Sequence, residues 1–179
     1  MSSPVIQIRL MQMEDIEQVV AIDRLSFSLP WPANSYRFEL QENKTSRLWV
    51  AERVEDNLPH QIVAMIVVWQ IVDEAHIATI AVHPQFRRLG IGKGLLAFAL
   101  KDASRMGMRT ATLEVRAGNL AAQAMYSQFG FMIEGLRPRY YQDNQEDALV
   151  LTVNLEDHTS WMRYAENPMN LPEEADRES

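Results

Sequence analysis

The chain has 179 residues, of which 47% are hydrophobic and 23% charged, and this composition excludes a fully disordered chain and a collagen-like repeat. This length indicates one domain that can bury a self-sufficient core. Acidic residues outnumber basic ones by 24 to 17, which excludes a broad nucleic-acid-binding surface, and the absence of cysteine excludes disulfides and thiolate chemistry.

The first half of the chain predicts one strand, two helices and three more strands. Apolar and polar residues alternate in the first strand, and apolar residues then follow at helical spacing. Two prolines beside Trp31 end the first helix. In chain order the elements are a strand at Val5–Leu10, a helix with apolar positions Ile16, Val19, Val20 and Phe27, a helix from Asn34-Ser35 to Leu40, and strands at Arg47–Val54, Gln61–Val72 and Glu74–Val82.

The second half predicts two helices that alternate with strands. Gly107 and Gly130 are placed to end the two helices. The elements are a helix from about Gly92 to Met106, a strand at Thr110–Val115, a helix at Leu120–Phe129, and strands at Phe131–Glu134 and Ala148–Val153. The order βααβββαβαββ predicts an α/β (α+β) fold, with a mixed sheet of about seven strands and helices on both faces.

The end of the chain differs in charge from the rest. Residues 156–179 hold seven acids against two bases. We therefore predict a folded domain over residues 1–155 and an acidic, partly disordered extension over 156–179. Three apolar or aromatic residues of the extension could dock on the domain or on a partner, namely Trp161, Met162 and Tyr164.

The start of the chain and its apolar stretches predict a cytoplasmic protein without a membrane partner. The segment from Met1 to Pro4 has neither the charged region nor the long apolar region of a secretory signal. The most apolar stretch, Ile62 to Trp69, is far shorter than the ~20 residues that span a bilayer.

Glycines and cations are concentrated between a predicted strand and a predicted helix. The glycines are Gly90, Gly92 and Gly94, and the cations beside them are Arg88 and Lys93. Glycines let backbone N–H groups converge on phosphate oxygens, and a helix N-terminus adds partial positive charge. Neither a Walker A loop, whose first glycine would fall on Arg87, nor a Rossmann fingerprint matches this spacing. A glycine-rich turn that merely starts the helix is the alternative.

The loop reads Arg-x-x-Gly-x-Gly after a Val-x-Pro strand end. It resembles the acetyl-CoA pyrophosphate loop of the GCN5-related N-acetyltransferases, and the predicted element order is that of this superfamily. Further segments resemble its RimI-type branch, the ribosomal-protein-alanine N-acetyltransferases. They are Leu29–Trp31, Leu113–Asn119, Ala124–Tyr126, Phe129–Phe131, Arg139–Tyr141 and Glu146–Ala148. The resemblance covers about residues 5–155, and the extension has no counterpart in the compact members.

The resemblance implies an acetyl-CoA-dependent enzyme and a role for each matching residue. Glu114 would be the general base, and Tyr126 would protonate the departing CoA thiolate. The residues implied in CoA binding are Ile80, Ala81, Val82, Arg87, Arg88, Leu89, Gly90, Ile91, Gly92, Lys93 and Asn119. Those implied in peptide binding are Pro30, Trp31, Tyr140 and Tyr141. Gly118 departs from the commoner serine of the family at the position before Asn119.

The chemistry favours an N-terminal amine as the acceptor. Attack on a thioester needs a neutral amine, and at pH 7 an α-amine with a pKa of about 7.8 is roughly 15% neutral, against about 0.04% for lysine. One carboxylate can therefore suffice as a base for an N-terminus. Without cysteine or an evident Ser-His pair, we expect direct transfer in a ternary complex.

Each implied role has a structural alternative. Glu114 and Arg116 lie two apart on a strand and could form an ion pair, and Tyr126 could be a core tyrosine. Tyr140 and Tyr141 could simply cover a sheet edge. The four histidines show no metal-ligand spacing, so no metal site is predicted.

The predicted activity is acetylation of a protein N-terminus, with the N-terminal alanine of a small-subunit ribosomal protein implied by the resemblance. Two other functions stay open. One is acetylation of a lysine side chain, a polyamine or a small amine on the same fold. The other is a non-catalytic acyl-CoA-binding module. The oligomeric state is left open.

Overall fold

The computed structural model describes residues 4–165, which contain seven strands and five α-helices. In chain order they are β1 (Val5–Leu10), α1 (Ile16–Ser26), α2 (Ser35–Gln41), β2 (Ser46–Val54), β3 (Gln61–Ile71), β4 (Glu74–Val82), α3 (Ile91–Arg105), β5 (Thr110–Arg116), α4 (Leu120–Gln128), β6 (Met132–Arg137), β7 (Ala148–Asn154) and α5 (His158–Ala165). The predicted order βααβββαβαββ and the mixed α/β class are confirmed, and α5 is added at the end.

The strands form one sheet in the order β1-β2-β3-β4-β5-β7-β6. The first four are an antiparallel meander, and β7 lies antiparallel to both of its neighbours, β5 and β6. β4 and β5 join the two groups in parallel, through three residue pairs that end at His76 and Thr112. Beyond this point the two strands are no longer paired, and the sheet opens.

Two apolar cores lie on opposite faces of the sheet. The core beside α1 and α2 is centred on Val19, Ile22 and Tyr36, which pack on the meander. The larger core beside α3 includes Leu95 and Leu100. Alternate residues of each strand point to opposite faces, so both cores draw on the same strands.

β6 differs from the prediction, which placed it at residues 131–134. The strand begins at Met132 because the Phe131 N–H donates to the Tyr126 carbonyl at 3.2 Å and so completes the turn that ends α4. It continues to Arg137 because the register with β7 shifts between Ile133 and Gly135, and the strand resumes after this irregularity.

The folded part of the chain continues past residue 155. Helix α5 packs on α3, and Trp161 is completely buried in the larger core. Burial of one tryptophan removes ~200 Å² from water, which explains how a short helix in an acidic segment is held. The boundary predicted at residue 155 is therefore not where the described structure ends, whereas residues 166–179 of the predicted extension lie outside the described residues.

Within residues 4–165, no helix is both long and apolar enough to cross a membrane.

A charged cluster joins the edge of the sheet to the start of α1. The Arg9 guanidinium donates to Asp15 at 2.7 and 2.8 Å and to Glu52 at 2.9 and 3.2 Å. Arg9 holds the pKa of Glu52 below its usual value. Burial alone would raise the pKa of Asp15, but the hydrogen bonds from Arg9 and from the Gln12 N–H together lower it. Both carboxylates are therefore charged at neutral pH and depend on Arg9.

We predict that Arg9→Gln lowers the free energy of unfolding at pH 7 by about 3 kcal/mol, because it leaves two nearly buried carboxylates without their cation. A lowered carboxyl pKa stabilises the fold above the unfolded-state value of about 4, and this contribution is lost as the pH falls through the folded-state value. Urea unfolding should therefore show a much smaller difference between variant and wild type at pH 3.

Arg37→Gln, on an exposed position of α2, is the matched control and should leave the stability within about 0.5 kcal/mol of wild type. An effect of Arg9→Gln equal to that of this control at pH 7 would contradict the structural role of the cluster.

Candidate active site

Beyond their last paired residues, β4 and β5 separate, and their facing edges no longer pair with each other. We call the gap between them the β4–β5 opening, formed by residues 77–82 of β4 and 113–116 of β5. The His83 N–H donates to the Val63 carbonyl of β3, so by strand alternation the backbone groups of Ile80 and Val82 point away from β3. They can pair with an extended ligand that enters the opening.

The glycine-rich loop lies at the end of β4 and starts α3. Its backbone takes left-handed geometry at Arg88 (φ 64°) and Gly90 (φ 80°), which turns the chain into the helix. The first helical hydrogen bond runs from the Gly94 N–H to the Gly90 carbonyl at 3.0 Å, so the preceding N–H groups of α3 have no acceptor within the helix. These groups are suited to phosphate oxygens.

A further glycine of this loop is required by close packing. A Cβ atom on Gly92 would lie 3.2 Å from Cγ2 of Val82, which is tighter than ordinary contacts between side chains. The start of α3 thus lies directly against the end of β4, next to the strand edge at the opening. The residues present fit the diphosphate and the extended arm of a CoA ester.

The cations of the loop differ in their surroundings. The side chain of Arg87 donates to the Val82 carbonyl at 3.0 Å and to Ser26 Oγ at 3.1 Å, and so ties the loop to β4 and α1. Arg88 and Lys93 are exposed beside the start of α3. Of the three cations among the predicted CoA contacts, Arg87 therefore already has a structural role, whereas the exposed side chains of Arg88 and Lys93 are accessible to a phosphate.

Glu114 lies where the sheet opens. It follows Thr112, the last residue of β5 paired with β4, by two positions and therefore points to the same face. Its side chain is 13% exposed, with Oε2 3.2 Å from His76 Nε2 and Oε1 3.2 Å from Arg137 Nε. The predicted carboxylate thus sits between β4 and β6, held by a side chain from each.

Aromatic rings form a row that leads to Glu114. Trp31 stacks on Tyr36 with ring centroids 5.2 Å apart and on Trp69 at 6.2 Å, and Trp69 stacks on His76 at 5.7 Å. The backbone N–H of Trp31 donates to the carboxylate of buried Asp23 at 2.8 Å, and burial raises the pKa of that carboxyl. The loop between α1 and α2 is thereby fixed over the meander, with Pro30 exposed beside Trp31.

Tyr126 lies on α4 and is 6% exposed. Its ring packs edge-on against Phe131 with centroids 5.6 Å apart, and its hydroxyl makes no hydrogen bond to another residue in the described part of the chain. Burial raises the pKa of Tyr126, and nearby Tyr141 adds to the shift, so the hydroxyl is protonated at neutral pH.

A polar network closes the rim of the site. Arg116 donates to Asp143 at 2.8 and 3.1 Å and to Glu146 at 3.3 Å, and Asp143 also bonds to Ser28 on the α1–α2 loop. Glu146 accepts the Gly118 N–H at 2.7 Å. The ion pairs of Arg116 are therefore with the β6–β7 loop, and the expected alternative of an Arg116 pair with Glu114 is not what the structure has.

The predicted tyrosine pair lies on the β6–β7 side of this rim. The Arg116 guanidinium lies 3.9 Å from the centroid of the Tyr141 ring, and Tyr140 packs edge-on against Tyr141 while remaining 47% exposed. Burial raises the pKa of Tyr141 to about 12. Asn119 caps α4 by accepting the Ala122 N–H at 3.1 Å, which positions the helix that carries Tyr126.

The acetyltransferase (GNAT) family model matches residues 16–131. A protein of Bacillus subtilis (strain 168), named as a candidate [ribosomal protein bS18]-alanine N-acetyltransferase, is 34% identical over 148 residues, which cover 83% of this chain and 95% of that protein. The chain belongs to the GNAT acetyltransferase family. Its co-substrate is acetyl-CoA, the acetyl donor of this family.

Two further comparisons agree with this assignment. The [ribosomal protein bS18]-alanine N-acetyltransferase of Escherichia coli (strain K12) is 28% identical over 141 residues, which cover 78% of this chain and 90% of that enzyme. The crystal structure of the Escherichia coli ribosomal-protein-S18-alanine N-acetyltransferase superposes with a TM-score of 0.75 at 25% identity, over 84% of this chain and 94% of that one. The GNAT acetyltransferase described here is thus similar to them along nearly their full length.

Several residues around the site were missed by sequence reasoning. The sequence pattern predicts no role at the site for His76, Arg137, Asp143 or Ser28. The alternation of side chains along β5 predicts which face of the sheet Glu114 occupies. Only the packing of β4, β5, β7 and β6 in that order shows which distant side chains meet it there. Among residues 4–165 no three potential metal ligands come together.

Gly118 generates a prediction about the rim. A Cβ atom there would lie 2.8 Å from Glu146 Oε2, so Gly118→Ser must push the carboxylate away from the Gly118 N–H and loosen its contact with Arg116. We expect the KM for the acceptor to rise about three- to tenfold, because a loosened charge-assisted hydrogen bond loses part of the roughly 1.5 to 3 kcal/mol that an intact one contributes. Steady-state kinetics and hydrogen exchange of the residue-118 amide measure the two effects. Unchanged protection of that amide would contradict the assigned contact.

Proposed function

We propose that this acetyltransferase modifies protein N-termini, and that its substrate is the N-terminal alanine of a small-subunit ribosomal protein. The observation that carries the proposal is the position of Glu114, a largely shielded carboxylate at the apex of the β4–β5 opening and beside the aromatic row. Relatives named for acetylation of ribosomal protein bS18 support the choice of acceptor. Such a substrate places the enzyme in the cytoplasm.

The donor would bind along β4 and the glycine-rich loop. The backbone N–H and carbonyl of Ile80 and the N–H of Val82, whose carbonyl already accepts from Arg87, would pair with the amide-containing arm of acetyl-CoA, beside Ala81. The first N–H groups of α3, together with Arg88 and Lys93, would hold the diphosphate. The arm would then run into the opening, so that the thioester arrives between Glu114 and Tyr126.

The acceptor would enter between the two loops that the rim network joins. Trp31 and Pro30 lie on the α1–α2 side of this entrance, and Tyr140 and Tyr141 lie on the β6–β7 side. The α-amine would reach Glu114 first, followed by the small alanine side chain. The two loops would hold the next residues of the peptide.

In the transfer step the amine nitrogen would form a bond to the acetyl carbon, and the carbon–sulfur bond would break. An α-ammonium group loses two protons on becoming an amide, and Glu114 would take each in turn and pass it to solvent. The departing thiolate takes one proton, so the whole reaction releases one proton. Tyr126 would stabilise the sulfur by donating a hydrogen bond and then supply that proton, to be reprotonated from solvent.

The raised pKa of Tyr126 predicts that it contributes less than Glu114 does. A buried tyrosine is a weak acid towards a thiolate whose conjugate acid has a pKa of about 8.5. We expect Tyr126→Phe to reduce kcat roughly ten- to a hundredfold, the value of one hydrogen bond to a charged group. We expect Glu114→Gln to reduce kcat/KM by about 10² to 10⁴, and this loss should shrink from pH 6 to pH 9 as more of the amine becomes neutral.

Kinetics with an alanine-initiated peptide at several pH values test both roles. Glu134→Gln, an exposed glutamate on β6, is the matched control and should retain wild-type rates. Full kcat/KM in Glu114→Gln across this pH range would overturn the general-base role, and unchanged turnover in Tyr126→Phe would remove Tyr126 from the reaction.

The substrate itself is tested by intact-mass spectrometry of small-subunit ribosomal proteins after incubation with the enzyme and acetyl-CoA. The proposal expects the mass increase of one acetyl group on one protein, mapped to an N-terminal alanine. Increases on many N-termini or on lysines would indicate a broad acetylase. No increase on any protein would move the acceptor to small amines or polyamines.

A further inference from the structure

We propose that Arg137 occupies, in the free enzyme, the position on Glu114 that the acceptor ammonium takes in the complex, and that it is displaced when the acceptor binds. This inference rests on the proposed function, because it needs Glu114 to receive a cationic amine. It adds a residue that governs acceptor affinity, located on a strand that has no part in the proposed transfer step.

The contact between Arg137 and Glu114 crosses over one strand of the sheet. Arg137 is on β6 and Glu114 on β5, with β7 between them in the sheet, so the arginine side chain spans a separation of about 10 Å between the two strand axes. Arg137 pairs with Ala148 of β7, and Gly135 pairs with Val150, which in turn pairs with Glu114. The small residues at 135 and 148 leave space above the sheet for a long side chain to cross.

The two partners of Glu114 differ in how firmly they are held. His76 is 18% exposed, lies on a paired position of β4 and stacks on Trp69. Arg137 is 54% exposed on an edge strand, and among residues 4–165 its guanidinium contacts, apart from Glu114, only the Tyr140 ring, 5.9 Å from its centroid. The arginine is therefore the partner that can leave, and Tyr140 offers the guanidinium a second place nearby.

Charge explains why the acceptor ammonium can displace Arg137 from Glu114 before transfer and why Arg137 can return after transfer. An α-amine arrives mostly as ammonium at pH 7, so it can replace one cation on the carboxylate with another. Arginine holds its proton under all physiological conditions and therefore cannot be consumed by the base. After transfer the product is a neutral amide, which has no charge for Glu114, and the returning guanidinium favours product release.

Substitution of Arg137 tests the exchange, because removal of the competing cation should tighten acceptor binding. We expect Arg137→Gln to lower the KM for an alanine-initiated peptide about two- to fivefold, the range for a solvent-exposed ion pair, with kcat within twofold of wild type. Arg137→Lys restores the cation and should return the KM towards the wild-type value. Arg105→Gln, an exposed arginine at the end of α3, controls for the general loss of one positive charge and should leave the KM unchanged.

A KM in Arg137→Gln that is unchanged or raised, or a lowered KM that lysine does not reverse, would overturn the exchange. A fall in KM equal to that in Arg105→Gln would overturn it as well, since it would reflect net charge alone. The proposed function fails separately: a wild-type enzyme that does not acetylate the peptide contradicts the acceptor class before any variant is compared.

Discussion

Three residue pairs between β4 and β5 are the constraint from which the site follows. If the parallel pairing ran along the whole of both strands, the edges of β4 and β5 would satisfy each other and no ligand could enter the sheet. Because the pairing ends at His76 and Thr112, the remaining edges are free for an extended donor molecule. The same end point sets Glu114 and His76 against each other across the gap. Binding surface and carboxylate thus have one structural origin.

Hydrogen bonds and ion pairs from β5 position the two loops beside this opening. Arg116, the residue two positions beyond Glu114 on β5, faces the rim and joins the β6–β7 loop to the α1–α2 loop through Asp143 and Ser28. Hydrogen bonds between charged groups in a partly shielded place are stronger and more directional than those in open solvent. The loops on either side of the proposed acceptor entrance are therefore positioned by the strand that carries the carboxylate.

Much of this arrangement could be predicted from local sequence signals. Gly90 marks the start of α3, because its left-handed backbone geometry is a requirement of one residue and its chain neighbours. The alternation of β5 also predicts that Glu114 faces away from the core that contains Leu113. Such signals depend on neighbours in the chain, and the element order of the fold follows from them.

The remainder depends on packing between distant segments. No local pattern indicates how many residues of β4 and β5 pair, or that His76 and Arg137 meet at one carboxylate from opposite sides. The acidic composition after residue 155 favours a solvated extension, yet the burial of Trp161 against the domain outweighs it and holds α5 on α3. The burial of this one large side chain in a complementary site determines the position of α5. The average composition of a segment does not indicate such a single contact.

Acetyl transfer is proposed to take place in the β4–β5 opening, with Glu114 at the acceptor nitrogen. The most direct measurement is a crystal structure of the enzyme with CoA joined covalently to the α-nitrogen of an alanine-initiated peptide. We expect the CoA arm to pair with the free edge of β4, the linked nitrogen to lie within direct or one-water reach of Glu114, and the sulfur to lie beside the Tyr126 hydroxyl. A peptide nitrogen located outside the opening, away from Glu114, would contradict this proposal.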